Sequence, residues 1–366
     1  MADLLQYGIV GAGQMGREHM RNIEAVPGGE VVAIADPYRP SVEAARAVVA
    51  EVDSYDRVAE MLERDDLDVV VIATPNYTHR AVVEQAMSSG LHLLIEKPLC
   101  TQVADCLELE ALLEGYPGIA WVGMEYRYSP PVARLIEEVR GGVTGTPRMV
   151  SIREHRFPFL PKVGDWNRFA RNTGGTLVEK CCHFFDLMLH VVEDEPVRVF
   201  ASGGQDVNHL DERYDGEQPD IIDNAYVIVE FAGGARAMLD LCMFAEQSRH
   251  QTEIVVSGEG GQVEVGQPEG VVWIGDRELP THPEVRRFAG RLRAVEVPVD
   301  KTALRAGSHH GATYYQHQAF QRAVREGGPP EVGIRDGLMA VAVGQAAEQS
   351  VVEGRVVTIE EVLKAT

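Results

Sequence analysis

Through the first third of the chain, short apolar runs alternate with segments of helical periodicity. YGIVGAG (7–13), VVAIAD (31–36), VVVIATP (69–75), HLLIEKP (92–98) and IAWVGM (119–124) read as buried strands. SVEAARAVVAEV (41–52), RAVVEQAMSSG (80–90) and ADCLELEALLEG (104–115) space their apolar residues as amphipathic helices do. This alternation predicts right-handed βαβ crossovers and a parallel, doubly wound α/β sheet over residues 1–124.

The pattern changes near Gly123. One more helix, PPVARLIEEVRGG (130–142), precedes strands of period-two alternation: RMVSIREHRF, NAYVIVEF, RAMLDLCMF, EIVVS, QVEV and VVWI. Glycine-rich turns such as AGGA and GEGG join consecutive strands, which predicts an antiparallel meander. Residues 125–366 are therefore expected to form an α+β domain with a large, mostly antiparallel open sheet. That sheet would bind substrate and join subunits into a homodimer or homotetramer. A late helix, IRDGLMAVAVGQAAEQSVVEG (334–354), is expected to pack back on the first domain.

Composition narrows the classes. A chain of 366 residues can build two cores. With 56 acids against 34 bases, a net charge of −22 supplies no basic stripe for nucleic acid. An anionic ligand must then be met by fixed local donors. Five cysteines are too few for a disulfide framework and suit a reducing compartment. MADLLQ leads straight into GIVGAG without a signal-like segment, and no apolar run approaches the roughly 20 residues of a membrane span. A cytoplasmic protein with no membrane partner is expected.

GIVGAGQMG carries Gly11, Gly13 and Gly16 in G-x-G-x-x-G spacing. The motif follows a strand, opens a helix, and is answered by Asp36 at the end of the second strand. In that context the glycines permit a tight turn, close approach of a pyrophosphate to main-chain N–H groups, and helix–sheet packing. Asp36 would accept from ribose hydroxyls and repel a 2′-phosphate, so NAD is expected over NADP. Arg39 is the residue that keeps NADP open. Cofactor contacts are expected from Gly11, Gly13, Gln14, Met15, Gly16, Asp36 and Arg39. Further contacts are expected from Thr74, Pro75, Asn76 and His79 in ATPNYTH and from Glu96 and Lys97 in EKP. Both of those stretches follow strands, where doubly wound sheets present their ligands. Pro98 stiffens the chain after Lys97 and could be cis.

These stretches, with GGTLVEKCCHFFD (174–186) and the late helix, make the chain resemble the glucose–fructose oxidoreductase / inositol dehydrogenase / MocA (Gfo/Idh/MocA) family over nearly its whole length. The resemblance implies a catalytic triad of Lys97, Glu179 and His183, with Glu179 where the family more often has Asp. The spacing supports the same chemistry. On one helix Glu179 and His183 are i and i+4, and Asp186, three further, shares their face. Asp186 reads as structural. His183 is placed to take a hydroxyl proton near neutral pH. The Lys97 ammonium would steady a developing alkoxide, and Glu179 would position the imidazole or Lys97. The tempting alternative, a metal held by EKCCHFFD, fails on geometry. Adjacent Cys181 and Cys182 point about 100° apart on a helix, and no other motif completes a tetrahedral site.

Resemblance to inositol and sugar dehydrogenases also implies a pocket lined by His155 and by Trp166 and Arg168 of DWNR, with Tyr126, His310 and Tyr314 as further candidates. No dense arginine cluster suggests a phosphorylated or polycarboxylate substrate. The expected reaction is oxidation of a ring hydroxyl of a cyclic polyol or sugar. An NAD-dependent glycosidase, or a non-catalytic NAD-binding regulator, are the competing readings.

Overall fold

The computed structural model describes residues 4–278 and 289–364. Six strands form the first sheet: β1 (Leu5–Val10), β2 (Gly29–Ala35), β3 (Asp53–Tyr55), β4 (Val69–Ile72), β5 (His92–Glu96) and β6 (Ala120–Gly123). Their order is β3-β2-β1-β4-β5-β6, and every pairing is parallel. The expected doubly wound sheet is present. Val69, Val70, Val71 and Ile72 are fully buried, as strands covered by helices on both faces require. The order reverses between β1 and β4, so the loops after these two strands open a crevice there.

Local departures have local causes. The helix expected over 41–52 spans Arg39–Arg46 instead, starting earlier because Pro40 suits a first turn. The chain then leads into β3, which the pattern missed: three residues, two of them exposed, carry little hydrophobic signal.

The second sheet contains β7 (Pro147–His155), β8 (Pro196–Gly204), β9 (Asn224–Phe231), β10 (Arg236–Cys242), β11 (Thr252–Gly258), β12 (Gly261–Gln267), β13 (Val271–Glu278), β14 (Ala289–Glu296) and β15 (Val357–Thr358). It is mostly antiparallel, but it is no simple meander. Its order is β14-β13-β12-β11-β7-β10-β9-β8-β15, with β7 lying parallel to β10 and antiparallel to β11. The chain leaving β7 builds several short helices before it returns as β8, so β7 is free to take a central place. One face buries Val150, Ile152, Val227, Val229, Leu239 and Ile254. On the other, Phe200, Ile228 and Met238 are exposed and stand opposite one another across β8, β9 and β10.

The helix Ile334–Glu353 lies between the two sheets. A Cβ added at Gly337 would sit 3.1 Å from Leu99 and Val122, and one at Gly344 would sit 2.9 Å from the Leu177 carbonyl. The glycines let this helix approach both halves closely. Among the described residues, no helix is long and apolar enough to cross a membrane.

Candidate active site

The chain leaves β1 through Gly11–Gly13 into the helix Gln14–Ala25. Gly11 has φ +89°, and a Cβ there would lie 2.6 Å from the Ala73 carbonyl oxygen. At Gly16 it would lie 1.9 Å from the Gly11 carbonyl, so only glycine fits. Gly13 differs: among the described residues, nothing stands within 4 Å of an added Cβ. Its open side adjoins a helix start with no side-chain cap and no acid in the first turn. Free N–H groups facing open space fit a pyrophosphate. Asp36 accepts from Ala12 N–H and Tyr38 N–H, both at 2.8 Å, and so braces the glycine turn. Arg39 is exposed at the start of its helix and Met15 is half-buried. The Lys162 Nζ donates to Gln14 Oε1 at 3.4 Å, linking the loop after β7 to the cofactor turn.

Thr74, Pro75 and Asn76 follow β4 across the crevice. Asn76 is buried, and its Nδ2 has no partner among the described residues. His79 is fully buried between two main-chain carbonyls, Nδ1 at 2.8 Å from Pro98 and Nε2 at 3.0 Å from Thr74. It ties the two loops together instead of reaching the crevice as expected, and burial pushes its pKa down. Glu96 is likewise turned inward: Oε1 lies 2.8 Å from His19 Nε2, and His19 Nδ1 lies 2.8 Å from His317 Nε2. Burial would raise the Glu96 carboxyl, but the His19 contact outweighs it and the group sits below its ordinary range. His19 and His317 had no distinguishing sequence signal.

The Lys97–Pro98 bond is cis. Lys97 Nζ donates to the main-chain oxygen of Glu179 at 2.9 Å. That contact corrects the single-helix expectation. The segment folds as two helices, Thr176–Glu179 and Cys182–Val192, with a break at Lys180 and Cys181. Lys180 N–H still bonds Thr176 at 2.9 Å, and Phe184 N–H bonds Cys181 at 2.9 Å. The break turns the Glu179 carbonyl toward Lys97, while the Cys182 thiol donates to the same oxygen at 3.5 Å. Both cysteines are fully buried, and burial pushes their thiols up, the Cys182 thiol to about 12. They pack, and among the described residues no three His, Cys, Asp or Glu are grouped to hold a metal ion.

The Glu179 side chain is buried, with Oε2 unpartnered among the described residues. Burial pushes its carboxyl up against the pull of Lys97, Lys162 and Arg156. His183 is also buried, with its ring 4.8 Å from that of Tyr126. Burial, then Lys97 and Lys180, hold its pKa well below the ordinary value, so it is neutral. Its Nδ1 has no partner among the described residues. Its Nε2 lies 3.4 Å from Glu125 Oε1. Glu125, in the turn after β6, escaped the sequence reading; its place at a strand's C-terminal end was the available signal. Burial pushes its carboxyl up to about 7. Beside it the buried Lys180 Nζ meets Glu154 Oε1 at 3.2 Å, and Thr252 donates to Glu154 Oε2 at 2.6 Å. Asp186 is structural: it pairs with buried Arg127.

The pocket candidates divide. Tyr126 joins His183. His155 ends β7 with Nε2 3.1 Å from Asp240 and Nδ1 3.3 Å from Ser248. Trp166 is half-buried and meets the ring of Tyr77, from the loop after β4, edge-on at 6.3 Å. Arg168 is buried with Nε 2.8 Å from Glu212, so its charge is already matched. Tyr314 packs in a small cluster with Val26 and Ala303, not with the triad. His310 is half-buried at φ +52°, while its neighbour His309 holds Glu18 at 2.6 Å.

Residues 5–124 match the oxidoreductase family's NAD-binding Rossmann fold, and residues 136–359 match its C-terminal alpha/beta domain. The chain belongs to the Gfo/Idh/MocA oxidoreductase family. It is 26% identical over 368 residues to myo-inositol 2-dehydrogenase of Thermotoga maritima, covering 98% of this chain and 100% of that one. It is 26% identical over 359 residues to inositol 2-dehydrogenase of Rhizobium meliloti, covering 97% and 99%. A solved oxidoreductase domain protein from Kribbella flavida shares the fold, with a TM-score of 0.85, 22% identity and coverage of 98% and 99%. As a Gfo/Idh/MocA oxidoreductase, the protein uses its first domain to bind NAD, in keeping with the open Gly13 turn.

Proposed function

We propose that this oxidoreductase oxidises a secondary ring hydroxyl of a cyclic polyol or sugar, of the inositol or pyranoside kind, to the ketone. The observation that carries the reading is the Lys97 ammonium bonded at 2.9 Å to the main-chain oxygen of Glu179, four residues before the buried His183, in a chain whose first domain binds NAD. When bound, NAD supplies the hydride acceptor. The Lys97 ammonium orients the hydroxyl oxygen and offsets the alkoxide charge that develops on it. His183, neutral in its buried setting, takes the hydroxyl proton. Glu179 supplies the main-chain oxygen that holds the Lys97 ammonium in place. Inositol dehydrogenases among the relatives support a polyol substrate. Five cysteines, all free, suit a reducing, cytoplasmic setting.

The test is a panel of inositols, monosaccharides and glycosides with NAD, followed by NADH absorbance. NADH accumulating in proportion to ketone is the expected result. Glycoside cleavage without net NADH would overturn the dehydrogenase reading in favour of transient ring oxidation and elimination.

A further inference from the structure

The loop that follows β7 touches both lips of the crevice. Lys162 Nζ reaches Gln14 Oε1, in the turn after β1, at 3.4 Å. Trp166 meets Tyr77, in the loop after β4. The loop is braced from within: buried Asn167 donates to the Leu160 carbonyl at 3.0 Å, and Asn172 donates to the Trp166 carbonyl at 2.9 Å. The second domain thus brings a lysine, on a braced loop, to the cofactor turn of the first.

That place is unfavourable for an ammonium on its own. Gln14 is the first residue of the helix Gln14–Ala25, and a helix N-terminus carries positive partial charge. The partner Lys162 finds there is a neutral amide oxygen at long range, and among the described residues no carboxylate forms a salt bridge with it. Burial pushes its pKa down against the pull of Glu179 and Glu96, and Lys97 and Arg156 push it further. Arg17, in the same first turn, donates instead to the Ala12 carbonyl at 2.7 Å. An anion at the open Gly13 turn would meet the helix end and the Lys162 ammonium together. In NAD the anionic group is the pyrophosphate.

We propose that Lys162 is a cofactor-binding residue supplied by the second domain, its ammonium pairing with the NAD pyrophosphate at the glycine turn. Gln14 then serves as a neutral tether that keeps the ammonium beside the helix start. The cofactor is held from both sides, by helix N–H groups of one domain and a side-chain cation of the other. The inference rests on NAD binding by the first domain and not on the choice of substrate. A failure to oxidise polyols or sugars therefore leaves it standing.

Calorimetric titration with NAD and with ADP-ribose tests it without turnover. ADP-ribose keeps the pyrophosphate and lacks the nicotinamide. Lys162→Met keeps the aliphatic stem and removes the charge, whereas Lys162→Ala removes both. Each variant is expected to bind both ligands about 10- to 100-fold more weakly, the scale of a hydrogen bond to a charged group. Added sodium chloride should weaken wild-type binding more steeply than binding by Lys162→Met. Unchanged ADP-ribose affinity in Lys162→Met overturns the proposal. A loss confined to NAD overturns it too, since that would place Lys162 at the nicotinamide. Equal salt slopes for the wild type and Lys162→Met count against it in the same way. Circular dichroism checks the fold of each variant; should Lys162→Ala not fold, Lys162→Met decides alone.

Discussion

Asp186 lies on the His183 helix, and its removal probes how that helix is held. Its carboxylate forms a two-pronged pair with Arg127, including Arg127 Nε to Oδ2 at 2.6 Å, and both side chains are buried. The guanidinium also meets Asp336 Oδ1 at 2.9 Å and the Glu331 carbonyl at 3.2 Å. One cation thus joins the turn after β6, the His183 helix and the start of the helix Ile334–Glu353. Removing one partner of a buried pair strands the other, at a cost of about 3–5 kcal/mol. Asp336 remains after Asp186→Ala and is only partly exposed, which puts the expected loss near the lower end, about 3 kcal/mol. The double variant Arg127→Met/Asp186→Leu leaves only the partly exposed Asp336 without its guanidinium and is expected to recover most of that stability. Urea unfolding followed by far-UV circular dichroism and tryptophan fluorescence measures both, provided the two signals coincide. A loss below about 1 kcal/mol for Asp186→Ala would refute the reasoning, since that is the scale of an exposed pair. A double variant less stable than the single one would refute it equally.

Lys97→Ala should cut turnover by about 10²–10³-fold with NAD affinity retained, measured by steady-state kinetics and fluorescence titration; near-normal turnover would remove Lys97 from the chemistry. Asp36→Ala should weaken NAD binding and narrow the preference against NADP, and a wild type that already binds NADP better would refute the role given to Asp36. Ile228→Lys, in the exposed row with Phe200 and Met238, should lower the oligomeric mass seen by light scattering if that sheet face joins subunits. Burial raises the Glu348 carboxyl from an ordinary 4.5 to about 7, although it accepts from Leu177 N–H at 2.7 Å. The folded state therefore holds the proton more tightly, so this stabilisation is full below about pH 4.5 and is lost as pH rises through 7. Glu348→Gln should melt higher than wild type at pH 8 and close to it at acid pH; equal gains at both would rule out the carboxyl as the cause.

What the sequence made legible, and what it did not, follows from the range of each interaction. Val69–Ile72 and Gly11–Gly16 announce themselves because strand burial and the glycine turn are decided within a few residues. The single helix expected across GGTLVEKCCHFFD failed for the opposite reason. Lysine and cysteine do not stop helices, so nothing at Lys180 and Cys181 marks the break. The break coincides with a contact from far along the chain, Lys97 Nζ bonded to the Glu179 carbonyl. The pairing of Arg168 with Glu212 was hidden for a similar reason, since Glu212 comes from another loop. Glu125 is the strongest case. Its residue type is ordinary at a strand end, and only the approach of His183 from the second domain turns it into the carboxylate that faces the imidazole. The break matters for the same reason. By turning Glu179's main-chain oxygen to Lys97, it joins the lysine after β5 to the His183 segment through a contact no helical spacing would select.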